Sequence, residues 1–214
     1  METIRTRENI SLDCEFFGDE KAPLAVLISG AGAPAEFWPD FFCISLADNG
    51  FRVLRYCHRD TGLSTHFDVP NDIRELHEDL INLIDSTEKP GVSLVGRSMG
   101  GFLSQLAVQY TRSLYNGEPR HARVATNHVH AMSTIPADLV KKLPKIQCPF
   151  LVLHGTEDVL VPNDNGKVTA RLLPHSKFIG LEGEGHMFFN KKIWSKILDH
   201  LVDHLRPLRE GIHG

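Results

Sequence analysis

An α/β fold built on a mostly parallel sheet is predicted by three observations. Short apolar runs alternate with amphipathic stretches along the 214 residues, glycine- and proline-rich turns punctuate them, and no repeat or low-complexity tract breaks the alternation. Chains divide in two only beyond about 250 to 300 residues, so a single domain over 1–214 is expected. Ile4 to Thr6 and Ile10 to Phe17 alternate apolar with polar and read as an N-terminal hairpin. Leu24 to Ser29 is a continuous apolar run entering Gly30-Ala31-Gly32-Ala33-Pro34, the pattern of a buried strand ending in a glycine-rich turn.

The remaining elements follow by the same logic. Phe37 to Asp48 reads as a helix and Phe51 to Tyr56 as a strand. Asn71 to Asp85 reads as a helix capped by Asn71, and Val92 to Val95 as a buried strand. Gly101 to Tyr115 is the next expected helix. Further on, Pro149 to Leu153 and Lys177 to Leu181 read as strands on either side of a helix over Asn163 to Leu173. The chain closes with a helix over Phe188 to Leu205, whose apolar residues Ile193, Ile197, Leu201 and Leu205 recur every four, and a frayed tail is expected beyond Arg206.

Composition narrows the function classes. With 42% hydrophobic and 23% charged residues the chain can bury a core. A net charge of -4, from 23 basic and 27 acidic residues, gives no electrostatic reason to bind nucleic acid or an anionic membrane. Cys14, Cys43, Cys57 and Cys148 lie far apart, so neither a zinc site nor a disulfide framework is expected. The start METIRTRENISLDCEFF lacks the pattern of a signal peptide, and no stretch approaches the about 18 apolar residues of a membrane span; a soluble, cytoplasmic protein is expected.

The chemistry concentrates at Val92-Ser93-Leu94-Val95 running into Gly96-Arg97-Ser98-Met99-Gly100-Gly101 and then a helix. This is a GxSxG motif in the strand–turn–helix context it requires. The same five letters arise by chance in turns; the strand before and the helix after lift this instance above chance. The turn strains the serine backbone, and bulk two residues either side would collide with the neighbouring strand and helix, hence the glycines. A serine hydroxyl is a weak nucleophile near neutral pH and needs a base, which in turn needs a partner to hold its tautomer. Leu151-Val152-Leu153-His154-Gly155-Thr156-Glu157-Asp158 places carboxylates just past a buried strand, and Gly183-Glu184-Gly185-His186 follows the next one. Glu157 and Asp158 compete as the acid, since adjacent side chains point in different directions and only one can reach the histidine. His186 is the candidate base. Among the 12 histidines, His121, His128, His130, His200, His204 and His213 have no motif and read as structural, and His154 reads as a packing residue at a strand end. The oxyanion needs preorganised N–H donors, one after the nucleophile and one from the loop after the third strand, here Met99 and Ala31. Gly32 and Met187, beside the oxyanion loop and the base, are the candidate substrate-contacting residues. Gly30-Ala31-Gly32-Ala33-Pro34 lacks the spacing of a dinucleotide loop, and Pro34 would interrupt the helix expected there, so nucleotide binding is not expected; no metal site is expected either.

These motifs resemble the α/β-hydrolase family, and within it the aclacinomycin methylesterase-like, cap-bearing esterases. Phe37-Trp38-Pro39-Asp40, Arg55 to Thr65, the GRSMGG elbow, HGTEDVLVP from His154 and LEGEGHMF from Leu181 carry the resemblance over most of the chain. It implies an α/β-hydrolase fold, a mostly parallel sheet with helices on both faces. It also implies Ser98 as nucleophile, Asp158 as acid, His186 as base, Ala31 and Met99 as oxyanion donors, and hydrolysis without a cofactor. Cys57 stands where the resemblance leads one to expect aspartate. Between 111 and 148 the family's sixth strand and its cap helices are expected to be missing or reduced. Ala122, Ala125, Val129 and Met132 form one helical stripe over Arg120 to Met132, while the strand alternative would put His128 and His130 on a buried face. A vacant strand position would expose unpaired backbone, which a second chain could fill, so a homodimer is kept open.

The leading expectation is a serine hydrolase cleaving carboxylic esters through an acyl-enzyme, with a small-molecule ester as its partner; the resemblance alone favours methyl or other small-alcohol esters. The alternative is a catalytically silent hydrolase scaffold that binds a small molecule or a partner protein, motivated by the missing strand and cap.

Overall fold

In the computed structural model, residues 2–68, 72–114, 123–126, 137–188 and 191–211 are described. Eight strands form one sheet: β1 (Glu2–Arg7), β2 (Ile10–Phe17), β3 (Leu24–Ile28), β4 (Arg52–Tyr56), β5 (Val92–Gly96), β6 (Arg123–Thr126), β7 (Phe150–Gly155) and β8 (Ser176–Leu181). Their spatial order is β1-β2-β4-β3-β5-β6-β7-β8. The expected hairpin is the antiparallel β1–β2 pair, with a bulge between Arg5 and Arg7; β2 also runs antiparallel to β4, and every pair from β4 to β8 is parallel.

Six α-helices complete the described chain: α1 (Asp40–Asp48), α2 (Ile73–Ser86), α3 (Met99–Leu114), α4 (Ala137–Lys142), α5 (Asn163–Leu172) and α6 (Lys191–Gly211). Side chains alternate along each central strand and feed two cores. Leu24, Val26, Leu54 and Leu94 pack with Leu76 and Leu80 of α2 and Leu103 of α3. Leu27, Val53, Val95, Leu151 and Leu153 pack with Phe42 and Leu46 of α1 and Trp194, Ile197 and Leu201 of α6. The four-residue recurrence in the last helix is thus the stripe that seats α6 on the sheet.

Four expectations are corrected. The helix over Arg120 to Met132 is overturned at its centre, where Arg123–Thr126 is β6, paired parallel to β5 and to β7. Backbone pairing decides this: a gap between two interior strands would strand their N–H and C=O groups, and the four residues of β6 bridge it. Ala122, Val129 and Met132 lie outside the described residues. The sixth strand is therefore present, and no second chain is needed to complete the sheet. The cap of α2 is Asp72, whose carboxylate accepts from Arg74 N at 2.8 Å while Glu75 accepts from Asp72 N at 2.8 Å, a reciprocal capping box; Asn71 lies outside the described residues. The helix expected from Phe37 is a 3-10 turn over Ala35–Phe37, with α1 beginning at Asp40 after Pro39. The last helix continues past Arg206 to Gly211.

The chain passes from β3 to β4 on one side and then to β5 on the other. The carboxyl ends of β3 and β5 therefore flank the point where strand order reverses, and open α/β sheets form their crevices there.

Candidate active site

At the end of β5 the chain turns into α3 through Arg97 and Ser98. Ser98 has φ of +53°, a left-handed conformation that costs a non-glycine residue about 1–3 kcal/mol and persists only where its surroundings enforce it. The enforcement is visible. Arg97 N donates to Ile28 O at 3.0 Å, and Gly100 N and Gly101 N donate back to Arg97 O and Ser98 O, each at 2.9 Å. A Cβ on Gly96 would overlap the backbone of Gly100, and one on Gly100 would overlap Ile28 O at the end of β3. The two motif glycines are thus fixed by close approach of backbone to backbone.

The loop after β3 lies against this turn, since a Cβ on Gly30 would sit 3.3 Å from Ser98 Cβ. Ala31 and Gly32 next to it are exposed. Gly32 has φ of +68° with open space where a side chain would be. Met99 opens α3, so the helix itself offers its N–H no partner. Two groups brace the loop from behind. Ala35 N donates to Cys57 Sγ at 3.3 Å, which is the use found for the cysteine where aspartate was expected. His58 Nε2 donates to Ser29 O at 3.1 Å.

His58 is fully enclosed, and burial pushes its pKa below the ordinary 6.5. The unfolded chain therefore takes up a proton first: this contribution to stability is complete above pH 6.5 and is lost as the pH falls through the depressed folded value. The same holds for His77, also lowered by burial. Unfolding titrations from pH 7 to 5 are expected to show falling stability, and His58→Gln, which keeps an N–H donor but cannot titrate, is expected to remove part of that slope. An unchanged slope in the variant would refute the assignment.

Beyond β7 the loop carries Glu157, which is exposed, and Asp158, whose side chain is fully buried. Asp158 Oδ1 accepts from Leu160 N at 2.9 Å and Val161 N at 2.8 Å, and Oδ2 accepts from His186 Nδ1 at 3.0 Å. Between the two rival carboxylates, Asp158 is the one that reaches the histidine. With its proton held on Nδ1, His186 keeps its lone pair on Nε2. His154 is buried, donates from Nε2 to Val161 O at 3.0 Å and packs beneath Gly166, as expected of a packing residue. His200 and His204 lie on α6, while His121, His128, His130 and His213 fall outside the described residues.

One residue that sequence reasoning passed over joins these parts. Arg97 is 3% exposed. Its guanidinium stacks on Phe37 at 4.3 Å and donates through Nη2 to His186 O at 2.9 Å, with Met187 Sδ against the same nitrogen. A desolvated cation–π contact contributes about 2 kcal/mol. Burial lowers the Arg97 pKa to about 10, opposed by the charge of Asp158, and the group stays charged at neutral pH. Its signal in the sequence was a lone arginine inside the glycine-bounded turn. Met187, next to His186 in the chain, is exposed.

A family model described as the alpha/beta hydrolase family matches residues 25–125, from β3 to β6. A solved thermophilic esterase from Thermogutta terrifontis, malate bound, superposes with a TM-score of 0.79 at 18% identity, covering 97% of each chain. The chain has the α/β-hydrolase fold. The resemblance read from the sequence is borne out, methylesterases included: rhodomycin D methylesterase DauP of a Streptomyces species is 36% identical over 104 residues, 47% of this chain. That match spans 35% of the methylesterase's own length. RutD of Pseudomonas savastanoi is 26% identical over 77% of this chain and 87% of its own. The matched residues end before Asp158 and His186, so the pairing of these two side chains rests on its own geometry. Among the described residues no helix is long and apolar enough to cross a membrane.

Proposed function

We propose that this α/β-hydrolase chain is a serine hydrolase that cleaves carboxylic esters, with Ser98, His186 and Asp158 as its triad. The observation that carries the reading is a serine held at φ +53° at the strand-order reversal, together with a histidine whose Nδ1 is bonded to a buried carboxylate at 3.0 Å. Ser98 Oγ attacks the ester carbonyl carbon and passes its proton to His186 Nε2. The amides of Ala31 and Met99 stabilise the oxyanion, and the fixed negative charge of Asp158 stabilises the imidazolium. The carbon–alkoxy bond then breaks, the departing alcohol takes the proton from His186, and an acyl-Ser98 remains. Water, deprotonated by His186, releases the acid and restores the serine. Methyl esters are the favoured substrates, on the likeness to rhodomycin D methylesterase; Gly32 and Met187 would flank the substrate, and no cofactor is required. The silent-scaffold alternative loses its main motive, because β6 fills the strand position that was expected to be vacant.

A fluorescent fluorophosphonate, which reacts with activated serines whatever their substrate, tests the reading. Wild type is expected to label to one equivalent, and His186→Ala to slow labelling by about a thousandfold or more. No labelling of a cooperatively melting wild type, or equal labelling without His186, would overturn it.

A further inference from the structure

The geometry points to Arg97 as the positioning residue that sets the base against the nucleophile, through its contacts with the His186 carbonyl and the Phe37 ring. This inference rests on the triad proposed above. Arg97 is anchored at both ends: its amide donates to Ile28 O at 3.0 Å at the end of β3, and its guanidinium donates to His186 O at 2.9 Å. The residue before the nucleophile is thereby tied to the backbone of the base, 89 positions later in the chain. Phe37, under the guanidinium at 4.3 Å, follows the oxyanion loop and meets Trp38 and Trp194 at 5.5 and 5.6 Å. Phe188, two residues after the base, meets Trp194 at 6.1 Å. Elbow, oxyanion loop and base loop therefore converge on one side chain and the aromatic cluster beneath it.

A filler role fits poorly. Burying a cation is costly unless it is compensated; among the described residues Arg97 has no ion pair, its Nε has no hydrogen-bond partner, and the charge of Asp158 offsets only part of the effect of burial. An apolar residue of the same length would pack against Phe37 and Met187 without that cost. What only the guanidinium supplies is a rigid plane that stacks on a ring and donates to a carbonyl at the same time. Lysine can reach one of these partners but cannot lie flat on the other.

The test compares wild type, Arg97→Met, Arg97→Lys and Ser98→Ala by fluorophosphonate labelling, reading rate per site and endpoint separately, with kcat and KM for p-nitrophenyl acetate. A misplacement near 1 Å costs about a hundredfold, so Arg97→Met is expected to label to the wild-type endpoint at a rate about 10- to 100-fold slower. Its kcat is expected to fall in proportion at nearly constant KM, with Arg97→Lys recovering part of the loss. A reduced endpoint with a wild-type rate per site would mean that Arg97 only supports folding, and would overturn the inference, as would a rate within twofold of wild type. If Arg97→Met does not fold, Arg97→Lys decides on the same two readings: a full endpoint at a rate threefold or more below wild type supports the inference, and a wild-type rate refutes it. Labelling of Ser98→Ala would instead refute the triad itself, so the two failures are distinguishable.

Discussion

Ser98→Ala is expected to lower kcat for ester hydrolysis by about a millionfold, the effect of removing the nucleophile from a comparable triad, while the protein still melts cooperatively within about 2 °C of wild type. The two halves of this expectation have separate causes. Chemistry is lost because the acyl-enzyme can no longer form. Stability is kept because alanine removes one hydroxyl from a residue only 9% exposed and accepts the same strained φ of +53° at a similar cost. Ser98→Gly separates the terms further: it removes the hydroxyl and relieves the strain, and is expected to be as inactive as alanine yet more stable by about 1 kcal/mol. Thermal melts beside turnover and probe labelling check all three proteins. Retained turnover in either variant would remove Ser98 from the mechanism. A large loss of melting temperature in Ser98→Ala would mean that the hydroxyl supports the turn.

What was legible in the sequence is what local pattern controls. The apolar runs of β3, β5 and β7 are buried on both faces, so they read as strands without further information. The serine turn announces itself through two glycines, because an added Cβ would collide with backbone at both positions. Asp158 and His186 were legible as strand-end residues in the expected order, and choosing Asp158 over Glu157 needed the resemblance. β6 was illegible because its stabilisation is non-local: four residues pair with β5 and β7, and their own alternation carries little signal beside the helical stripe that overlaps them. The cap of α2 moved by one residue because Asn71 and Asp72 are both good caps, and only the reciprocal bond with Glu75 distinguishes them. Arg97 and His58 escaped notice for a related reason. Each acts by donating to the carbonyl of a residue distant in the chain, and a backbone acceptor leaves no trace in side-chain identity.

The two glycine classes in this fold should respond to alanine in opposite measure. At Gly100 an added Cβ would overlap Ile28 O and approach Ser29 O to 2.7 Å, and both are main-chain atoms at the end of β3 with no rotamer to change. The collision can be relieved only by parting α3 from β3, which loosens the elbow and pushes the Ser29–Gly30–Ala31 loop outward. Gly100→Ala is therefore expected to cost about 3–5 kcal/mol, or about 6–20 °C in melting temperature, and to lower kcat/KM by about a hundredfold or more in the protein that remains folded. At Gly183 the conformation is the less permissive of the two for an L-residue, with φ of +74°, yet a Cβ there would meet nothing within 4 Å. Gly183→Ala should cost only the left-handed penalty of about 1–2 kcal/mol, with activity kept. If Gly100→Ala loses no more stability than Gly183→Ala, the contact at Gly100 is relieved by small shifts, and the close approach of the loop after β3 to Ser98 loses its main physical support.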